Sequence, residues 1–447
     1  MSLGGMLHTI PRTESTPPLY YVLAWVWTRV FGFSEFGLRS FSALAGIATI
    51  PVACVLARRL AGRPASVVAG LLLAVSPLMV WFSQEARAYA LATLLGTITV
   101  LCAVGWLQDR RRGWLVGWAL AGALGVATHY FVVFILAPEV ALLWWRSRRG
   151  RPLLTASGVL LIVCLALFPL ALTQRGTGHA DYIAQGSLGT RVLQVPKQLL
   201  LGYASPSQVV TAILAGGVVL AGALWPLLLS PAARRRALVP LTVGLGAVLV
   251  PIVLALVGID FLNTRNLLPA LPPLYVAAAV GFVAPRGWAG NRLLALALAV
   301  IMALVVVLVD LNPRYQRDDW GGVASVLGTP ALARAIVVNP GSGQIPLQIY
   351  LPGLRALTGA AVPVRELDVV AIPPQTTGSG IGVPPRLTAP LPVPAGFRLV
   401  RAVAARTYTV LQYRSATPVA VTAAALAGDQ LGSGGSAALI QPRPSAG

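Results

Sequence analysis

Trp81-Phe82-Ser83-Gln84-Glu85-Ala86-Arg87-Ala88-Tyr89 joins two long apolar segments, roughly 64–82 and 88–108. It sets a carboxylate and a guanidinium two residues apart at the junction. Charges at membrane depth are costly, by ~2.5–3.5 kcal/mol per residue on insertion scales. The pair must therefore sit in water at the bilayer surface or be buried with partners. One reading makes the two charges interfacial anchors, with Trp81 and Tyr89 as belt aromatics. The other makes them part of a site.

Working outward, hydrophobic residues are 56% of the chain, charged residues only 11%, and the mean hydropathy is +0.77. No ordinary soluble domain has that composition. Apolar runs long enough to cross a bilayer recur along the first 310 positions. The net charge of +21 comes almost wholly from arginine, Lys197 being the one lysine. The arginines cluster between apolar runs, a pattern of positive-inside topology rather than of nucleic-acid binding. Cys54, Cys102 and Cys164 lie inside apolar runs without CxxC spacing, which argues against both a disulfide framework and a zinc site.

Five loops carry the clusters: Arg58-Arg59 to Arg63, Arg110-Arg111-Arg112, Arg146 to Arg151, Arg234-Arg235-Arg236, and Arg286 to Arg292. Placing all five in the cytoplasm predicts ten spans, near 38–57, 65–82, 88–107, 113–128, 130–146, 153–172, 208–229, 237–257, 267–284 and 292–310. Ten spans put the two chain ends on the same side, the outside. Residues 1–16 have no signal peptide to carry them there, so a preceding helix and loop are expected upstream of Met1. Residues 17–31 are apolar and aromatic but, at about 1.5 Å per residue, short for a span. They read as an interfacial helix.

The expected fold class is thus an α-helical polytopic membrane protein of about ten spans plus an interfacial N-terminal helix. Residues 1–37 form an outer-face loop and that helix, and 38–311 the bundle. After Asp310 the chain turns polar and carries strand-like runs at Ala335–Val338, Leu367–Ile372 and Tyr408–Tyr413, predicting a small extracytoplasmic α/β domain over 312–414. Asp318-Asp319 is expected to cap its first helix, with Trp320 packed beneath. The Ala, Gly, Ser and Pro content of 415–447 reads as a disordered tail.

Six of the eight acids in 1–310 fall at or near the expected outer face: Glu14, Glu35, Glu85, Asp181, Asp260 and Asp310. The same face has single arginines (Arg39, Arg87, Arg175, Arg191, Arg265) instead of clusters. Carboxylates mixed with guanidinium forks suit a ligand with an anionic headgroup and a hydroxyl to deprotonate. A lipid-anchored, phosphate-linked substrate fits, its tail lying between helices. Equally, loops are simply where charges are tolerated. Glu139, inside a span, should face the bundle interior in a structural role. His129, between two spans, is either a buried, satisfied histidine or a ligand contact.

An ordered set of motifs narrows this. Thr16-Pro17-Pro18-Leu19-Tyr20-Tyr21, Phe31-Gly32-Phe33-Ser34-Glu35-Phe36-Gly37-Leu38-Arg39, Ala57-Arg58-Arg59-Leu60 and Ser83 through Leu91 occur in succession. Thr128-His129-Tyr130 and Arg265 through Pro273 follow. The series resembles bacterial integral-membrane glycosyltransferases of the GT-C superfamily, akin to protein O-mannosyltransferases and the lipid A aminoarabinose transferase, over about 1–320. The resemblance implies a helical bundle in the bacterial cytoplasmic membrane that passes a hexose or pentose from a polyprenyl-phosphate donor to an acceptor hydroxyl at the outer face. The acceptor is a glycan, lipid or protein. By the same resemblance Glu85 is a catalytic carboxylate and Arg265 meets the donor phosphate. Arg87, Tyr89, His129 and Tyr20 are further substrate-binding candidates. Relatives carry their catalytic acid in the first outer loop, often as an Asp-Glu pair, and this sequence starts beyond that point. Glu14 is the only acid upstream of the Pro-Pro motif and is the second catalytic candidate. No cofactor is called for, although outer-face carboxylates leave room for one divalent cation. Two other functions compete: a transporter or flippase of lipid-linked saccharides, and a non-catalytic scaffold for envelope assembly.

Overall fold

The computed structural model describes residues 2–146, 150–284, 290–312, 315, 317–372, 393–405, 407–426 and 435–442. The chain divides into two compact units, 1–307 and 308–447. Part of the arginine cluster expected at Arg286 to Arg292 lies outside the described residues.

The first unit is helical. In order it comprises α1 (Leu3–Thr13), α2 (Leu19–Phe31), α3 (Glu35–Ala74), α4 (Pro77–Ser83), α5 (Tyr89–Asp109), α6 (Arg112–Thr128), α7 (Val133–Arg146), α8 (Arg151–Arg175) and α9 (Leu188–Leu201). Then come α10 (Gln208–Leu229), α11 (Pro231–Leu256), α12 (Leu271–Phe282) and α13 (Asn291–Leu311). The stretches expected to span are mostly helical, although 65–82 is broken at Val75-Ser76 and those at 130–146 and 267–284 begin in 3-10 turns. Six helices are long and apolar enough to cross a membrane: α3, α5, α8, α10, α11 and α13. The count of ten does not follow: the expected span 65–82 is divided between the end of α3 and α4, and α6, α7 and α12 are 17, 14 and 12 residues long. At about 1.5 Å per residue these fall short of a bilayer core.

Local chemistry explains the breaks. α3 is interrupted at Ala61 and Gly62, where Gly62 adopts φ +81°, a value glycine reaches without steric cost. Arg63 and Pro64 follow, so the arginine-rich turn between the first two expected spans is preserved. Ser76 caps α4 by accepting from the Met79 amide, with Pro77 at the first helical position. Two helices went unforeseen. α1 replaces part of the loop expected over 1–16; Ser2 caps it and Met6 and Ile10 are its buried residues. α9 was masked by a mean composition too polar for a span, yet its apolar residues Val195, Leu199 and Leu201 lie buried.

Arg59 pairs with Asp109 at 3.2 Å, and Arg110 donates to the Arg146 carbonyl at 3.4 Å. The arginine clusters of three loops therefore gather at one end of the bundle. In its interior Glu139 accepts from Trp118 Nε1 at 2.6 Å and Thr99 Oγ1 at 2.9 Å. That is the structural role expected of it, with three helices joined through one carboxyl group.

The second unit is a six-stranded sheet with short helices. Its elements are α14 (Trp320–Leu327), β1 (Arg334–Asn339), α15 (Gln344–Tyr350), β2 (Arg355–Ala356), β3 (Val362–Ala371), β4 (Arg398–Ala404), β5 (Thr409–Val421), α16 (Ala423–Leu426) and β6 (Ala437–Gln441). The strand order is β2-β6-β1-β3-β5-β4, with β1 and β3 parallel and the other neighbours antiparallel. Strand alternation splits the core in two. Ala335, Val337, Leu367, Val369 and Leu411 serve one face; Ile336, Val338, Val370 and Val410 serve the other with Val323 and Leu347 from the helices. Asp319 caps α14 by accepting from the Gly322 amide at 2.7 Å, and Trp320 lies over Gly343, where a Cβ would fall 2.2 Å from the ring.

The end of this domain needs correction. The disordered tail expected over 415–447 is not what the described residues show: β5 runs on to Val421, and β6 pairs with β1 and β2. Composition averaged over the segment hid a five-residue strand, Ala437-Ala438-Leu439-Ile440-Gln441, whose Leu439 is fully buried. Pro418 is tolerated because β4 pairs with β5 only as far as Arg414, leaving an edge there.

Arg334, 1% exposed, ties this unit together. It donates to Gln441 Oε1, the Leu327 and Gly328 carbonyls, and Asp368 Oδ2 at 3.3 Å. Burial pushes the Asp368 carboxyl up to about 6, against the pull of Arg334. Removing one member of a buried pair costs about 3–5 kcal/mol, because the other charge stays buried. Asp368→Ala is expected to destabilise the sheet unit by that amount, seen as earlier loss of amide protection in β1 and β3. Wild-type protection in those strands would contradict this account of Arg334.

Candidate active site

The turn between α4 and α5 carries the two charges that open the sequence reading. Its close approach to α3 depends on Gly46, where a Cβ would lie 2.0 Å from Ser83 Oγ. The Arg87 amide bonds the Glu85 carbonyl at 2.8 Å, reversing the chain tightly. Ser42 of α3 holds the turn from below, donating to the Arg87 carbonyl at 3.3 Å. Ser42 in turn meets the Tyr20 hydroxyl at 2.8 Å. Tyr20 is 1% exposed. The structure thus puts it beneath the turn, in contact with Ser42.

Tyr89 begins α5 and is the ring at the centre. Arg87 Cζ lies 6.0 Å and Arg265 Cζ 5.8 Å from its centroid, both within cation–π range. His129 packs against it with centroids 5.2 Å apart, and Phe82 at 5.0 Å. The charges whose fields reach the Tyr89 hydroxyl are Arg265, Arg87, Glu85 and Glu14. Two cations and two acids therefore surround one ring.

They come from three segments: Glu85 and Arg87 from the turn before α5, Glu14 from the stretch after α1, and Arg265 from a 3-10 turn. Glu14 follows α1 and accepts from the Tyr21 hydroxyl, which also meets Thr16 Oγ1 at 3.0 Å. Burial, and then the Glu14 charge, push the Tyr21 hydroxyl well above its ordinary range and keep it a donor. Arg265 sits on a 3-10 turn, Thr264–Ala270, capped by Asn263, whose side chain accepts from the Arg265 amide at 3.2 Å. Tyr203 braces Asn263 at 3.1 Å. The loop before that turn is pinned by Arg191, which forks onto Asp260 and reaches the Leu262 carbonyl at 2.9 Å. Hydrogen bonding from Arg191 holds the Asp260 carboxyl below its usual range. This pair, visible in the sequence as one single arginine and one acid, is accounted for structurally.

Arg265 itself is different. Its guanidinium also lies 5.2 Å from the Tyr182 ring, its buried Nε has no hydrogen-bond partner, and no ion pair among the described residues includes it. A cation framed by two tyrosines and left without a carboxylate is equipped for an external anion. His129, buried behind Tyr89, has its imidazole held down to about 3 by burial and by Arg265 and Arg87. It is neutral near pH 7 and leaves the anion's charge to the arginines.

The structure therefore brings Glu14, Glu85, Arg87, Tyr89, His129 and Arg265 around one place, with Tyr20 beneath. Tyr182, Tyr203, Asn263 and Gln174 belong to the same neighbourhood and were not foreseen. Tyr182 sits in a loop without helical period. Gln174 gave one signal, an amide ending an apolar helix. Among the described residues no three His, Cys, Asp or Glu side chains gather as a metal site.

The family model of dolichyl-phosphate-mannose-protein mannosyltransferases matches residues 15–173. Over that stretch the chain resembles the GT-C membrane glycosyltransferases. The matched region holds Tyr20, Glu85, Arg87, Tyr89 and His129, and leaves out Glu14 and Arg265. No curated protein matches the chain. Among solved structures, ArnT from Cupriavidus metallidurans in the apo state is 20% identical with a TM-score of 0.47, covering 70% of this chain and 58% of that one. A structure of the same protein bound to undecaprenyl phosphate gives 19% and 0.46. The Archaeoglobus fulgidus oligosaccharyltransferase, tethered with an acceptor peptide, gives 14% and 0.39 and is covered over 49% of its length. The chain thus spans less than two thirds of each of these proteins.

A stability test follows from His129. Its folded-state pKa lies below the unfolded value, so the unfolded chain binds the proton first and stability falls as pH drops from about 6.5 toward 3. Wild-type protein should lose more thermal stability between pH 7 and pH 4 than His129→Phe. Equal losses would show that His129 is not held neutral.

Proposed function

We propose that the chain is a membrane glycosyltransferase that moves a hexosyl or pentosyl group from a polyprenyl-phosphate donor to an acceptor hydroxyl at the outer face of the bacterial cytoplasmic membrane. The observation that carries this reading is the arrangement around Tyr89: Arg265, with no ion pair among the described residues, lies over the ring whose hydroxyl also feels the charges of Glu85 and Glu14. Phosphate recognition and a proton acceptor are the two needs of this displacement, and apolar helices surround them. The match over 15–173 supports the same class.

In the proposed step the donor phosphate lies against Arg265, with Arg87 near the same Tyr89 ring. Glu85 takes the proton of the acceptor hydroxyl as its oxygen bonds the anomeric carbon. The bond from that carbon to the phosphate oxygen breaks, and the electron pair leaves with polyprenyl phosphate, whose charge Arg265 stabilises. Glu14, hydrogen-bonded to Tyr21, orients the acceptor. His129 backs Tyr89 without competing for the proton, and Tyr20 supports the turn.

Loss of a general base costs about 10²–10⁴-fold in rate. Glu85→Gln should reduce transfer from polyprenyl-phosphate mannose in proteoliposomes to that extent while leaving binding of polyprenyl phosphate intact. Arg265→Met should weaken that binding about tenfold or more, since a charge-assisted contact is lost. Unaffected transfer in Glu85→Gln, or unaffected binding in Arg265→Met, overturns the corresponding role.

A further inference from the structure

Gln174 ends α8 and is 3% exposed. Its Nε2 donates to two backbone carbonyls, Ile10 at 3.3 Å and Thr16 at 3.0 Å, and its Oε1 accepts from the Tyr130 hydroxyl at 2.8 Å. The amide has one sensible orientation, because carbonyls only accept and the nitrogen must face both. Both of its N–H groups and its oxygen are therefore used. The two carbonyls bracket 10–16, the segment that carries Glu14. The hydroxyl belongs to the residue after His129, whose ring packs on Tyr89. One side chain thus joins three segments distant in sequence: the acid-bearing strap, the histidine wall behind Tyr89, and the end of α8.

The strap has few other anchors. Glu14 and Thr16 meet the Tyr21 hydroxyl, and the Glu14 amide closes α1 onto the Ile10 carbonyl. These bonds shape the strap internally and against α2. Gln174 is what sets it against the Tyr89 side of the cluster. We infer that Gln174 is a positioning residue of the transferase site, acting through the 10–16 strap to hold Glu14 on the acceptor side of Arg87. This inference rests on the proposed function for the word acceptor, and on the hydrogen bonds alone for the pinning.

The test replaces Gln174 by Met, which keeps the length and apolar bulk but cannot donate. Hydrogen exchange on the full chain in nanodiscs should rise about tenfold or more in 10–16, with α8 and α5 unchanged; loss of two such bonds is worth roughly that factor. With polyprenyl-phosphate mannose as donor and octyl α-mannoside as acceptor, the acceptor KM should rise about tenfold. The donor KM and the affinity for polyprenyl phosphate should hold. Gln174→Glu, an acceptor set against two carbonyls, should be worse than Met on both readouts. Unchanged exchange in 10–16, or exchange raised throughout α8, overturns the pinning. Raised exchange with an unchanged acceptor KM overturns the positioning role while leaving the proposed function standing. If wild-type protein transfers nothing from this donor, it is the functional reading that fails, and the exchange experiment still decides the pinning.

Discussion

Two guanidinium groups, Arg87 and Arg265, lie within 6.0 Å of the Tyr89 ring centre, and much of the helical unit's loop structure serves to make that tolerable. Two cations near one ring repel each other, and the face of an aromatic ring offsets only part of that. The offset is completed by Glu85 and Glu14, one supplied by the turn before α5 and the other by the strap before α2. The arrangement then depends on holding four charges from three separate segments in place. Hydrogen bonds to backbone do that holding: Ser42 on the turn, Asn263 on the 3-10 turn, Gln174 on the strap.

The bundle imposes the same economy at its other end. Charges are excluded from apolar helix interiors, so arginines gather where chains turn, and Arg59, Asp109, Arg110 and Arg146 meet there. Glu139 is the exception that stays inside, and it does so with both oxygens hydrogen-bonded. In the sheet unit Arg334 and Asp368 repeat the rule in a soluble-type core. Glu139 and the Arg334–Asp368 pair are buried with partners around them, whereas the buried Nε of Arg265 has none.

Much of this was legible in the sequence because charge is scarce. With 11% charged residues, each acid and single arginine stands out, and the motif around 83–89 could be placed at a helix junction before any coordinates. Helical stretches followed from apolar run length, and β1, β3 and β5 from alternating β-branched residues. Spanning was less legible: α7 and α12 continue from 3-10 turns and are shorter than their apolar runs. β6 was invisible for a related reason, four apolar residues and a glutamine inside a segment rich in Gly, Ser and Pro. The positioning residues Gln174, Asn263 and Tyr203 were hidden because an uncharged amide or phenol gains its meaning only from what it touches.

The central claim is that Arg265 and its neighbours around Tyr89 receive the phosphate of a lipid donor. Cryo-electron microscopy of the full chain in nanodiscs with polyprenyl phosphate tests it directly. The account predicts phosphate density between Tyr89 and Tyr182, with an oxygen at about 2.8 Å from a guanidinium nitrogen of Arg265. Phosphate density at the opposite end of the bundle instead, beside Arg59 and Arg110, with Arg265 unoccupied, would contradict it.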